Sequence, residues 1–206
     1  MSFISAENKQ KAGFGMNAKE FLDIVKVAEM LKNRTRHSYT SEGRHESVAE
    51  HSWRISLMAM LLSHEEEFQE LDMNKVIRMC LIHDLGEIFT GDVPAFEKTK
   101  NDEEKEDAIY AKWVRSFPTE VRNEFEDLLT EMNALETREA KLYKALDKME
   151  AVIQHNEADI ATWLPLEYDL QLTYGKEQVE FSPYMKVLKA EIDQWTKEKI
   201  DSAKEP

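Results

Sequence analysis

Apolar residues recur at helical spacing along most of the chain. From Asn17, a capping residue type, the positions Phe21, Ile24, Val25, Val27, Ala28 and Leu31 repeat every three or four residues and predict a first helix. The stretch NRTRHSYTSEGRHE then loses that period and collects Arg, His, Ser and Gly, so it reads as a loop. Ser47, with Glu50 three residues on in capping-box position, opens a second helix whose apolar face is Val48, Ile55, Leu57, Met58, Leu61 and Leu62. A third helix, from about Asn74 to Glu87, is apolar nearly all round, and such a helix belongs in the middle of a bundle.

After it, FTGDVPAFEK carries Gly91 and Pro94, which predicts a turn that keeps Asp92 close to the helix end. Lys100 to Glu106 is a charge run, read as an exposed loop leading into a helix through Trp113. Pro118 starts another helix. Glu136 to about Asn156 is a long one, with Ala140, Leu142, Tyr143, Ala145, Leu146, Met149 and Val152 at helical intervals. Residues 157 to 182 are mixed, and Ser182 with Pro183 opens a terminal helix through Trp195.

Composition agrees with this pattern. Only 6 Gly and 5 Pro occur in 206 residues, while Leu, Glu, Lys, Ala and Met recur throughout, and nothing divides the chain into two halves. The expected fold is all-α, a single-domain helical bundle over 17–206 preceded by a flexible N-terminus, 1–16. A formal charge of -14 argues against a nucleic acid polymer as ligand but leaves room for a small anion received by a local basic group. Cys80, the only cysteine, sits in the apolar run VIRMCLI, which predicts a buried free thiol and a reducing compartment. The first residues carry no basic segment followed by an apolar one, and no stretch approaches the roughly 18 apolar residues of a membrane span. A soluble cytoplasmic protein with no membrane contact is expected.

His83 and Asp84 stand together in the most apolar helix, where an unanswered carboxylate costs several kcal/mol, on the order of a lost buried ion pair. Hydrogen bonds or a cation must compensate. Successive helical side chains point about 100° apart, so the pair shares one ion only with help from other helices. His51 and Asp147, each on a strongly apolar helix, are the candidates, with Glu150 as an alternative to Asp147. His37, His45, His64 and His155 read as non-ligands, Lys98 as a solvated lysine, and Trp53, Trp113, Trp163 and Trp195 as core or interface residues.

The order His, His-Asp, distant Asp, here ESVAEHSWR, CLIHDLGE and KALDKMEA, resembles the HD phosphohydrolase superfamily. HDLGEIFTGDVP, following ESVAEHS and an Arg-containing loop, is similar to its 5'-deoxynucleotidase branch over about residues 31–157. That resemblance implies a helical bundle of the HD-domain type in which His51, His83, Asp84 and Asp147 hold one divalent ion. Two imidazoles and two carboxylates suit Mn²⁺, Co²⁺, Fe²⁺, Ni²⁺ or Zn²⁺ ahead of Mg²⁺. It further implies that Glu87 acts on the water, that Asp92 takes part in catalysis or holds the sugar, and that Arg36 grips the phosphate, with Arg34 and Arg44 as alternatives.

The implied reaction is attack of a metal-bound water on the phosphorus of a (deoxy)nucleoside 5'-monophosphate. Relatives commonly carry Trp directly after that Arg; this chain has His37, assigned to substrate contact, with Tyr39 as the nearest aromatic, and the sugar preference stays open. A dNTP, a cyclic nucleotide or a guanosine polyphosphate is an alternative substrate, and a non-catalytic metal or nucleotide module an alternative class. A homodimer is expected.

Overall fold

Three of the helices begin with reciprocal caps that their sequences spell out. Asn17 with Glu20, Ser47 with Glu50 and Thr99 with Asp102 each exchange side-chain and backbone hydrogen bonds, closing off donors that a helix start leaves unpaired. In the computed structural model, which describes residues 15–204, the elements are α1 (Ala18–Ala28), β1 (Thr35–Tyr39), β2 (His45–Ser47), α2 (Val48–Leu62), α3 (Met73–Ile82), α4 (Glu87–Thr90), α5 (Lys100–Val114), α6 (Thr119–Ala134), α7 (Arg138–Glu157), α8 (Glu167–Thr173) and α9 (Pro183–Ser202). The all-α expectation holds. Most of the expected flexible N-terminus, residues 1–14, lies outside the described residues.

The core lies where α2, α3 and α7 meet. Ile55, Ala59, Val76, Met79, Leu142, Leu146 and Met149 are sealed from solvent there, and Met185 and Ile192 of α9 join them. Each fully buried Leu or Met contributes roughly 1.5–3 kcal/mol, so this contact dominates the stability of the fold. A smaller cluster, Tyr110, Val114 and Phe117, ties α5 and the start of α6 to the same body. Cys80 is buried and unpaired as expected. Among the described residues no helix is long and apolar enough to cross a membrane.

Three expectations are corrected. The stretch read as a loop is a β-hairpin: Thr35 pairs with Ser47 and Tyr39 with His45, and Gly43 at φ 79° turns the connection. Between those pairs Arg36, His37 and Ser38 oppose the single residue Glu46, a bulge that breaks the alternation by which a strand is read from sequence.

The charge run is not a loop, because Thr99 caps Lys100 and the residues through Val114 continue as one helix. Most of its charges face solvent, with Glu106 turned toward Lys98, and a charged helix surface is as permissible as a charged loop.

The third helix stops at Ile82 and does not reach Glu87. The chain tightens there into turns in which Leu85 N–H bonds the Ile82 carbonyl and Glu87 N–H the Asp84 carbonyl. Carbonyls released by the break are taken up elsewhere: the His83 ring donates to Cys80 O at 3.0 Å and the Tyr110 hydroxyl to Ile82 O at 2.8 Å. With those groups satisfied the break costs little, and it swings His83 and Asp84 off the apolar cylinder.

Candidate active site

Helix α7 is buried nearly all round, and one stripe of mainly polar residues along it faces a cavity. Lys144, Asp147, Lys148, Ala151 and His155 all line a cavity of about 320 Å³. The hairpin bulge supplies Arg36, His37 and Ser38 to the same cavity, the turn after α3 supplies Asp84, the start of α4 supplies Glu87, and the segment after α4 supplies Asp92 and Phe96. Gly91, at φ 78°, ends α4 in a conformation that L side chains resist, which is how Asp92 is turned back toward Glu87.

At the floor the two rings and two carboxylates singled out from sequence converge. His51 Nε2 lies 3.4 Å from Asp147 Oδ1 and 3.8 Å from Asp84 Oδ2, and His83 Nε2 lies 3.0 Å from Asp84 Oδ2 and 3.8 Å from Asp147 Oδ1. One ligand atom from each of His51, His83 and Asp147 falls within 4.8 Å of the other two. Both Nε2 atoms are buried and have no hydrogen-bond partner.

The opposite ring nitrogens are engaged, His83 Nδ1 by Cys80 O and His51 Nδ1 by the Glu150 carboxylate. If Nδ1 carries the proton in each ring, as those contacts direct, both Nε2 lone pairs face the carboxylates, an arrangement that is repulsive unless a cation stands between them. The residues present therefore fit a divalent ion.

Glu150 was weighed as a substitute for Asp147, but it faces the back of His51 instead. It is wholly buried, and Arg54 Nε donates to its other oxygen at 2.6 Å. Although burial works against its charge, His51, Arg36 and Arg54 hold this carboxyl down to about 2. Asp147 is likewise held well below the usual carboxylate range despite burial, chiefly by Lys144 at 2.9 Å and Lys148 at 3.5 Å.

Glu87 goes the other way. Burial, then the charges of Asp84 and Asp92, push it up to about 10, and its Oε2 has no partner. Burial also raises Asp92, which the backbone N–H of His37 faces.

The three arginines considered for the phosphate separate cleanly. Arg34 is spent on the Ile88 carbonyl, with bonds of 2.9 and 2.6 Å, and Arg44 pairs with Glu50 in the open. Arg36 alone of the three lines the cavity, its Nη1 3.7 Å from Asp84 and its Nε 3.3 Å from the buried Glu46. Lys98, expected to be solvated, is half-buried at the rim and paired with Glu106 at 2.8 Å.

Lys144, Lys148, His155 and Glu167 were not anticipated as cavity residues. Lys148, Ala151 and His155 stand four, seven and eleven positions after Lys144 on one helix, a stripe that the sequence does show. Glu167 lies in a stretch without helical period and carried no such signal.

Against known proteins, the HD domain family profile matches residues 28–189. The 5'-deoxynucleotidase HDDC2 of Dictyostelium discoideum is 32% identical over 145 residues, covering 66% of this chain and 76% of that protein. The human 5'-deoxynucleotidase HDDC2 is 28% identical over 147 residues, covering 69% and 70%. A crystal structure described as a predicted metal-dependent phosphohydrolase from Magnetospirillum magnetotacticum MS-1 superposes with a TM-score of 0.74 at 27% identity, over 88% of this chain and 93% of that one.

Proposed function

This chain belongs to the HD domain family, and on that footing we propose that it is a metal-dependent phosphohydrolase removing the 5'-phosphate from (deoxy)nucleoside 5'-monophosphates. The observation that carries the reading is the pair of partnerless Nε2 atoms aimed at two carboxylates beneath a cavity whose walls hold Arg36, Lys144 and Lys148. A divalent ion held by His51, His83, Asp84 and Asp147 supplies charge to polarise a phosphoryl oxygen and lower the pKa of water.

The chain's own groups do the rest. Arg36 presents a guanidinium from the hairpin bulge and stabilises the charge that develops on phosphorus oxygens. Glu46 holds that guanidinium in place: it lies 3.3 Å from Arg36 Nε and accepts a hydrogen bond from the Ser38 hydroxyl at 3.2 Å. Lys144 and Lys148 add positive charge on one wall, which is how a chain of net charge -14 offers an anion a favourable seat. Glu87, with its raised affinity for a proton, exchanges one with water or the leaving oxygen. Asp92 and His37 meet the sugar side of the ligand. The likeness to 5'-deoxynucleotidases supports a monophosphate over the longer phosphate esters.

Two further readings accompany this one. The buried free Cys80 supports a reducing, cytoplasmic setting. Trp53, Leu57, Met60 and Leu61 stand exposed along α2, and that apolar strip supports a homodimer, which light scattering on a sizing column tests.

The central experiment is phosphate release from a panel of nucleoside mono-, di- and triphosphates, with Mn²⁺, Co²⁺, Zn²⁺ or Mg²⁺ added to chelator-treated protein. Release from 5'-monophosphates is expected. No release with any metal sinks the enzymatic reading and leaves a binding module.

A further inference from the structure

A second group of ligating side chains faces the same cavity, and two of its three members, His155 and Glu167, take no part in the chemistry above. His37 of β1, His155 of α7 and Glu167 of α8 bring one ligand atom each within 4.8 Å of the others. Glu167 Oε1 lies 3.0 Å from His155 Nε2 and 3.3 Å from His37 Nε2. We propose that these three residues form a second divalent-cation site, a two-histidine, one-carboxylate set suited to Zn²⁺ or Co²⁺, about 12 Å along α7 from Asp147 at 1.5 Å per residue.

The orientation of the rings carries the proposal. His155 Nδ1 donates to the Ala151 carbonyl at 2.8 Å, which turns Nε2 toward Glu167 Oε1, 3.0 Å away; with a proton on Nδ1 alone, that nitrogen offers the carboxylate its lone pair. In that tautomer the two atoms repel unless a cation lies between them. The deep cluster solves the same problem with the same device, since His83 Nδ1 donates to Cys80 O and leaves Nε2 for the carboxylates. A metal-ligating histidine is usually fixed by such a bond on its far nitrogen.

Glu167 is placed for the role. Only 1% of its side chain is exposed, and the Leu164 N–H takes Oε2 at 2.7 Å, which leaves Oε1 for the two rings. Aromatic edges hold both imidazoles, Phe96 against His37 and Trp163 against His155. The His37 side chain is 26% exposed on the cavity side, so a fourth position is left to water or to a donor atom of a bound ligand. The competing arrangement is an imidazolium at His155 that pairs with Glu167 without metal.

The inference goes beyond the phosphohydrolase reading and does not depend on it, because the test counts metal and not turnover. The full chain is stripped with chelator, dialysed against Zn²⁺ or Co²⁺, and its bound metal measured by atomic emission alongside a far-UV melt of each variant. His155→Asn and Glu167→Gln are each expected to hold one ion fewer per chain than the unmodified protein while keeping the ion lost in His83→Ala. His37→Gln, at the partly exposed corner, is expected to weaken the same ion and serves if a buried substitution fails to fold. An unmodified protein that binds a single ion, abolished by His83→Ala, overturns the proposal, as does stoichiometry unchanged in His155→Asn. Absent phosphatase activity with the second ion retained would count against the phosphohydrolase reading alone.

Discussion

Two clusters of imidazole and carboxylate face one cavity, and they differ in what stands behind them. His51 and His83 are sealed from solvent and backed by Glu150 and by a backbone carbonyl, and Glu150 is itself held by Arg54. His37 and His155 are partly open, and their outer support is a pair of aromatic edges and one carbonyl. Burial raises the electrostatic cost of an unanswered carboxylate and equally the strength with which a cation is held. On the readings proposed above, the deep cluster suits a tightly held ion and the shallow one a weaker ion.

The largest effect should come from the deep cluster itself. His83→Ala is expected to lower phosphate release roughly 10³-fold or more and to remove that cluster's ion, since both the charge and the water it acidifies are lost. Steady-state release with parallel metal analysis checks it, and metal retained at full stoichiometry breaks the ligand assignment.

Next is the guanidinium above it. Arg36→Ala should cost about 10²–10³-fold in kcat/KM with metal content unchanged, and Arg36→Lys should recover only part, because a point charge does not grip two phosphate oxygens at once. A loss of metal in Arg36→Ala would mean that the two regions are less separable than their geometry implies.

Third, Glu150→Gln keeps the volume behind His51 but not the charge, and should weaken metal binding about 10–100-fold, read by competition with a chelating dye. An unchanged affinity would show that the deeper bracing is irrelevant to the contrast between the clusters.

The smallest effect is a pH slope in chelator-treated protein. Glu87 holds its proton up to about 10 when folded and releases it near the ordinary carboxyl value of 4.5 when unfolded. Between those values the unfolded chain has given up a proton that the folded one keeps, so the melting temperature should fall as pH rises from about 5 to 9. Glu87→Gln should flatten that fall, and a slope that is unchanged would place its origin elsewhere.

Helix faces and caps were legible because they are local. Ser47 with Glu50 and Ser182 with Pro183 mark their helix starts within four residues. The candidates His51, His83, Asp84 and Asp147 were legible as apolar-helix residues of the wrong polarity, and the structure brings their side chains together. The end of α3 was not, because what stabilises the break is the hydroxyl of Tyr110, 28 residues from the Ile82 carbonyl it bonds. The hairpin was hidden by its bulge, where three residues face one and no two-residue period survives. The start of α5 was legible in principle, since Thr99 and Asp102 spell a cap that the surrounding charge run obscures. Glu150 needed the partner it braces, and Glu167 needed the fold.

Because α7 alone carries Asp147 and His155, the spacing between the phosphate end and the far end of the cavity is set by a rigid rod and not by loops. For a nucleotide bound between them, such a rod would work as a length gauge. On the proposed reading a ligand would have to present its phosphorus and its opposite end at the separation that eight helical residues impose, and an added phosphoryl group would lengthen the ligand without lengthening the rod. Selection by size would then survive changes in the surrounding loops and fail only with a change in the helix, where an insertion of one residue would rotate His155 by about 100° and dismantle the gauge.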